Sequence, residues 1–154
     1  LLTKLIKASY IQLDIEASSF EEAIELAMSP LVIDEAVTTD YVDKVISILR
    51  EIGPYIVITK NIAIPHAPSD SGAKKLAIGF TRLKNAIVSG NSANDPVKFL
   101  FSLSSPTGDD HLSALSELAS LFSDEKFLAF IQDVKKPHDF IDFLENFERS
   151  IEND

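Results

Sequence analysis

The chain carries three histidines, His66, His111 and His138, and the first two stand where a side chain could meet a substrate. His66 follows Asn61-Ile62-Ala63-Ile64-Pro65, an apolar strand running into a proline that keeps the residue before it extended. The imidazole is presented just past the strand edge, on a rigid mount. An unperturbed histidine has a pKa of about 6.5, is largely neutral at pH 7 and attacks phosphorus without the deprotonation that serine or threonine needs. Carrying a transferable phosphoryl group is the chemistry this offers. A histidine hydrogen-bonded in a turn, with no chemistry at all, is the competing reading of the same residues, set against the rule that loops on rigid scaffolds carry function.

His111 lies in Thr107-Gly108-Asp109-Asp110-His111-Leu112, where a glycine-containing turn and an aspartate cap lead into a helix and place it in the first turn. The free N–H groups and the dipole of such an end attract anions, so a phosphoryl group on His66 could be received between the two imidazoles. A surface histidine beside two aspartates accounts for the same residues. Arg50 closes the third predicted helix sixteen positions before His66; its guanidinium could clamp phosphoryl oxygens, or simply interact with the helix dipole. His138, at the start of the last helix, is assigned a structural or solvent role. Two histidines near aspartates keep a metal-dependent hydrolase as a rival, but no H-E-x-x-H or other tight ligand spacing occurs and no metal site is expected. Five glycines, none spaced as a phosphate loop or a G-x-S-x-G elbow, argue against ATP and serine hydrolysis.

The elements that must position these residues follow from periodicity. After a short first helix, Tyr10 to Ile15 alternates like a half-buried strand, and Ser18-Ser19-Phe20-Glu21 has the form of a capping box that starts a helix near residue 19. Phe20, Ala23, Ile24, Ala27 and Met28 keep helical spacing, and Ser29-Pro30 weakens it before Leu31-Val32-Ile33 resumes it. Thr38-Thr39-Asp40 caps a third helix that runs to Gly53-Pro54. Strands are expected at Tyr55–Thr59, Ile62–Ile64, Leu76–Leu83, Ala86–Val88 and Val97–Leu103, forming one mostly buried sheet. Apolar stripes at Leu112–Phe122, Phe127–Ile131 and Phe140–Ile151 then give helices. Helices before and after the strands predict a single-domain α/β fold over residues 1–154, a mixed β-sheet flanked by helices on both faces in an α/β/α arrangement.

Composition narrows the partners. The 24 acidic and 14 basic residues give a formal net charge of −10, and the basic residues are scattered, so nucleic acid is not an expected partner. The absence of cysteine excludes disulfides, thiolate zinc sites and a thiol nucleophile in this chain, and suits a reducing compartment. No apolar run approaches the ~20 residues of a membrane span, and Leu1–Lys7 is too short and interrupted for a signal peptide, so a cytoplasmic protein is expected.

Ile62-Ala63-Ile64-Pro65-His66-Ala67, Asp95-Pro96-Val97-Lys98-Phe99-Leu100, and His111-Leu112 leading into Leu115-Ser116-Glu117-Leu118-Ala119 together resemble the IIA components of bacterial phosphotransferase systems, in the fructose/mannitol class. Gly53-Pro54-Tyr55-Ile56-Val57-Ile58 and Asn94-Asp95-Pro96-Val97 look like the ascorbate-type branch, which implies ascorbate or a pentitol-like sugar as cargo. The resemblance implies that His66 accepts a phosphoryl group from the phosphohistidine of HPr and passes it to a cysteine of a IIB component, acting with a membrane IIC component only indirectly and needing no cofactor. It also implies that His111 steadies the phosphoryl oxygens, and that Arg50 matches the class's active-site arginine, which the ascorbate-type branch usually lacks. That branch commonly follows the histidine with an arginine and an acidic pair, where this chain has Ala67-Pro68-Ser69-Asp70-Ser71-Gly72; a loop so changed meets its partners differently. Ile64, Pro65 and Ala67 would supply part of an apolar docking rim, against the alternative that Ile64 is strand core and only the other two reach solvent. IIA-like domains also act as phosphorylation-sensing regulatory modules, some fused to transcription regulators, but no helix-turn-helix signature occurs here.

Overall fold

The computed structural model describes residues 2–152. Its elements are α1 (Leu2–Leu5), β1 (Ile11–Ile15), α2 (Phe20–Ile33), α3 (Thr39–Ile52), β2 (Val57–Thr59), β3 (Ile62–Ala63), β4 (Ala77–Ile78), β5 (Phe80–Ile87), β6 (Val97–Leu100), β7 (Leu103–Ser104), α4 (Gly108–Phe122), α5 (Glu125–Asp133) and α6 (Pro137–Glu152). Five strands form a mixed sheet in the order β1-β5-β6-β3-β2. β1 runs parallel to β5 and β3 parallel to β6, while β5–β6 and β2–β3 are antiparallel.

β3, the strand that leads to His66, is covered on both faces, which is why its sequence is a continuous apolar run rather than an alternating one. Successive side chains point to opposite faces. Ile62 and Ile64 join a core with Phe80, Phe99, Phe101 and the inner faces of α1, α4, α5 and α6, whereas Ala63 joins a core built with α2 and α3. The layered arrangement expected from the order of elements is the one observed.

Three local expectations are corrected. The strands do not form one sheet: β4 and β7 make a separate two-stranded sheet, because the run Leu76–Leu83 breaks at Gly79. The N–H of Gly79 donates to the Ser102 carbonyl at 2.9 Å, and a Cβ there would stand 2.9 Å from Ser102 Oγ. Ala86–Val88 is no strand of its own either, since β5 continues through Ile87. α2 itself runs unbroken through Pro30, in keeping with the apolar pattern that resumes at Leu31-Val32-Ile33. A proline in a helix leaves the carbonyl four residues earlier without its donor; here that carbonyl, Leu26, accepts from Gln12 Nε2 of β1 at 2.8 Å. Finally, at the start of α2 the cap is Ser19, which accepts from the Glu22 N–H, and Glu22 accepts from the Ser18 N–H, one position along from the expected box.

Candidate functional site

The parallel pairing of β3 with β6 continues past the regular strands: the Phe101 N–H donates to the Ala63 carbonyl at 2.8 Å and the Leu103 N–H to the Pro65 carbonyl at 2.9 Å. The next rung of a parallel ladder would join the Ala67 N–H to the Leu103 carbonyl. Instead the Tyr41 hydroxyl stands between them, accepting from the Ala67 N–H at 3.0 Å and donating to the Leu103 carbonyl at 2.8 Å. The two strands part at this point, and the half-buried His66 sits at the opening.

Its ring is fixed by one bond and one neighbour. Nδ1 lies 2.6 Å from the Ile64 carbonyl; a carbonyl can only accept, so Nδ1 carries the proton and Nε2 keeps its lone pair. Nε2 makes no hydrogen bond among the described residues. Tyr55 meets the ring edge-on, centroids 5.5 Å apart at 68°, and its hydroxyl donates to the His66 carbonyl. Burial pushes the His66 pKa below its ordinary value near 6.5; the Ile64 hydrogen bond opposes this and the neighbouring His111 adds to it. At neutral pH the residue is an uncharged imidazole with one aimed lone pair.

His111 completes a pair: the two imidazole centroids are 5.2 Å apart, tilted by 58°. α4 begins because Thr107, in extended conformation, accepts from the Asp110 N–H through its hydroxyl at 3.2 Å. Thr107, not an aspartate, is thus the N-cap, and the two aspartates occupy the first turn with solvent-exposed side chains. The His111 N–H is spent on the Thr107 carbonyl at 3.1 Å, while those of Gly108 and Asp109 find no partner among the described residues. These unspent donors belong to the same first turn of α4 that bears His111, and such an end attracts anions.

The loop after His66 is moored to the start of α3. The Gly72 carbonyl accepts from the Thr38 N–H at 3.0 Å, and Gly72 has φ +124°, with space for a Cβ denied by Thr38 Oγ1 at 2.2 Å. Only glycine fits there.

Of the residues singled out in the sequence, the fold brings His66 and His111 together and leaves the others elsewhere. Arg50 forks onto Glu21 of α2, with Nη2 to Oε1 at 2.6 Å and Nε to Oε2 at 3.0 Å. His138 is exposed on α6 beside Asp142, 3.5 Å away. The apolar rim is not formed as expected: Ile64 and Ala67 are 1% and 2% exposed and Pro65 is buried too, because ladder bonds and the Tyr41 hydroxyl hold this stretch in the core. Among the described residues no three His, Asp or Glu side chains converge as a metal would need, and no helix is long and apolar enough to cross a membrane. Sequence reasoning missed Tyr41 and Tyr55. Their partners are backbone groups eleven or more positions away, so no local motif marks them; the one signal was a tyrosine directly after a Gly-Pro helix stop.

The family model described as "Phosphoenolpyruvate-dependent sugar phosphotransferase system, EIIA 2" matches residues 4–147, and the chain belongs to that family. It is thereby a EIIA component of a sugar phosphotransferase system. Among similar proteins is the ascorbate-specific PTS system EIIA component of Escherichia coli (strain K12), 25% identical over 136 residues that cover 88% of each chain. The solution structure of the mannitol-specific cryptic phosphotransferase enzyme IIA CmtB from Escherichia coli superposes with a TM-score of 0.82 at 25% identity, covering 92% of this chain and 95% of that one. Enzyme IIAMtl, solved in complex with phosphorylated enzyme IIBMtl of Escherichia coli, superposes with a TM-score of 0.79 at 20% identity over 92% and 99% of the two chains.

Proposed function

We propose that this EIIA component carries its phosphoryl group on His66 Nε2, taking it from phosphohistidine on HPr and giving it to a cysteine of a cognate IIB component on the cytoplasmic side of the membrane. The observation that carries this reading is the Nδ1–Ile64 bond of 2.6 Å, which leaves Nε2 as the one ring atom with an unspent lone pair, on a ring whose centroid lies 5.2 Å from that of His111. In the accepting step the Nε2 lone pair forms the new N–P bond as the bond from phosphorus to the donor nitrogen breaks, its electrons returning to the donor ring. In the delivering step a thiolate forms the S–P bond and Nε2 recovers its pair. Little covalent work falls to the protein in such a transfer; it positions the partners and stabilises charge. As Nε2 gains its substituent the ring acquires positive character, and the Nδ1–H···O=C bond to Ile64 strengthens as a charge-assisted one. In this reading His111 and the open end of α4 supply the donors for the phosphoryl oxygens, supported by the closeness of the two imidazoles. The similarity to an ascorbate-specific EIIA supports ascorbate, of the ascorbate or pentitol-like sugars expected, as the cargo of the system, and a IIA fold seen with phosphorylated IIB supports IIB as the acceptor.

Incubation with enzyme I, HPr and phosphoenolpyruvate, followed by intact mass measurement, tests the assignment. The wild type gains one acid-labile phosphoryl group, His66→Ala gains none, and His111→Ala gains it more slowly or incompletely. A wild type that stays unmodified sinks the carrier reading, and a modified His66→Ala sinks its site.

A further inference from the structure

The peptide unit that joins His66 to Ala67 has two polar groups, and each is held by a tyrosine hydroxyl. Its carbonyl accepts from Tyr55, and its N–H donates to Tyr41 at 3.0 Å. Neither group is part of a backbone ladder, although both lie at the end of a strand, where ladder bonds are the ordinary solution. Tyr41 is 1% exposed and passes its own proton to the Leu103 carbonyl of β7, so its oxygen bridges the split between the two strands. Tyr55 also packs its ring against the edge of the imidazole.

We propose that Tyr55 and Tyr41 are positioning residues of the transfer site, gripping the 66–67 peptide from both ends so that the His66 ring keeps Nδ1 on the Ile64 carbonyl and leaves the Nε2 lone pair free. The inference rests on His66 being the phosphoryl acceptor. Its logic is geometric: the ring's direction is set by the backbone that bears it, and that backbone follows a proline that donates no hydrogen bond of its own. Without the hydroxyl grip, nothing else described ties down the peptide plane beyond the imidazole. A looser ring samples the orientation in which Nε2 is protonated and the lone pair lies on Nδ1, turned into the protein. Burial, with the neighbouring Tyr41 adding to it, pushes the Tyr55 pKa up to about 12, so the hydroxyl stays a donor throughout the working pH range.

The test uses the full chain, Tyr55→Phe, and nitrogen-15 NMR of the histidine rings at about pH 8, where imidazole is neutral. Wild-type His66 is expected as the Nδ1–H tautomer; a wild type found mainly as Nε2–H overturns the proposal without any variant. In Tyr55→Phe the Nε2–H form rises and phosphorylation by HPr slows by roughly three- to tenfold, the weight of one hydrogen bond, with the final one-group mass gain unchanged. Tyr41→Phe shows the same tautomer shift and melts earlier, because it strands two buried backbone groups; if it does not fold, Tyr55→Phe still decides. An unchanged tautomer ratio in folded Tyr55→Phe overturns the positioning role, whether or not the rate falls. If the wild type takes no phosphoryl group, the carrier assignment fails while the tautomer measurement still judges the grip.

Discussion

Two polar centres are set into the core of this protein, and they are finished differently. Arg82, on β5, is 2% exposed. Its Nε and Nη2 both meet Asp14 Oδ1 at 3.1 Å, and Nη1 donates to the Ile131 and Gln132 carbonyls at 3.2 and 3.4 Å. Those carbonyls belong to the last turn of α5, where helical donors have run out, so the guanidinium caps a helix while Asp14 balances its charge. Asp14 reaches it from an interruption in β1, at φ 58°. At His66 the surroundings are equally complete: Nδ1, the carbonyl and the next N–H are all engaged. One ring atom, Nε2, is left over, on an imidazole that neighbours another. A saturated polar cluster in a core is a structural device; a cluster saturated everywhere except at one nucleophilic lone pair is what the proposed acceptor site calls for.

The comparison breaks most readily at Arg82. Arg82→Met removes the cap and counter-charge together, leaving the buried Ile131 carbonyl and the part-buried Gln132 carbonyl without this donor, and is expected to cost about 2–4 kcal/mol of stability. Folded Arg82→Met should still accept one phosphoryl group at a rate within about twofold of wild type, since no transfer chemistry passes through a saturated centre. Chemical denaturation and the mass assay check both halves. Loss of acceptance in well-folded Arg82→Met would end the division between the two centres.

A smaller effect sharpens the other side. Because burial, with His111 adding to it, holds the His66 pKa below about 6.5, the acid limb of the rate of phosphoryl acceptance should have its midpoint below that value. Removing His111 removes one of the lowering influences, so the midpoint in His111→Ala should move up toward the free imidazole. Stability carries the matching sign. Unfolded His66 takes up a proton as pH falls through its ordinary range, while folded His66 does so only at lower pH. The stabilisation present above 6.5 is therefore lost between the unfolded and folded values and then levels off. Rate against pH, together with an NMR titration of His66, reads the midpoint; an acid limb above the ordinary histidine value would contradict the burial argument.

What was legible in the sequence was whatever local pattern encodes. The strand-proline-histidine run gave His66 its mount, the turn before Leu112 placed His111 near a helix start, and helices on either side of a strand-rich middle gave the layers. What stayed hidden depends on partners remote in sequence. Pro30 weakened the helical pattern in the sequence, and nothing nearby shows that Gln12 serves the Leu26 carbonyl it leaves without a donor. The split into two sheets turns on a contact between Gly79 and Ser102. Tyr41 reads as one more apolar residue of an amphipathic helix until parallel pairing brings the Ala67 N–H and the Leu103 carbonyl to its hydroxyl. Capping and periodicity are written within a few residues; insertion of a side chain into someone else's hydrogen-bond ladder is not.

Arg50 is where the same lesson yields the smallest expected effect. Its type and its place at a helix end were legible, and both suit a phosphate clamp, but the direction of a long side chain is decided by what lies across from it. Here that is Glu21, 29 positions earlier, in a two-pronged ion pair whose arginine is 68% exposed. Exposed pairs of this kind hold little stability because water and salt screen them. Arg50→Ala is therefore expected to leave the melting temperature essentially unchanged, and the rate of phosphoryl acceptance within about twofold of wild type, the scale of a screened surface charge. The measurement is the mass-detected time course at low and at physiological salt. A loss of ten times or more that persists at both salt levels would mean that the guanidinium leaves Glu21 when a partner docks and reaches the phosphoryl oxygens. The reaction centre would then be only partly preassembled in this structure, and its completion would belong to the complex with the partner.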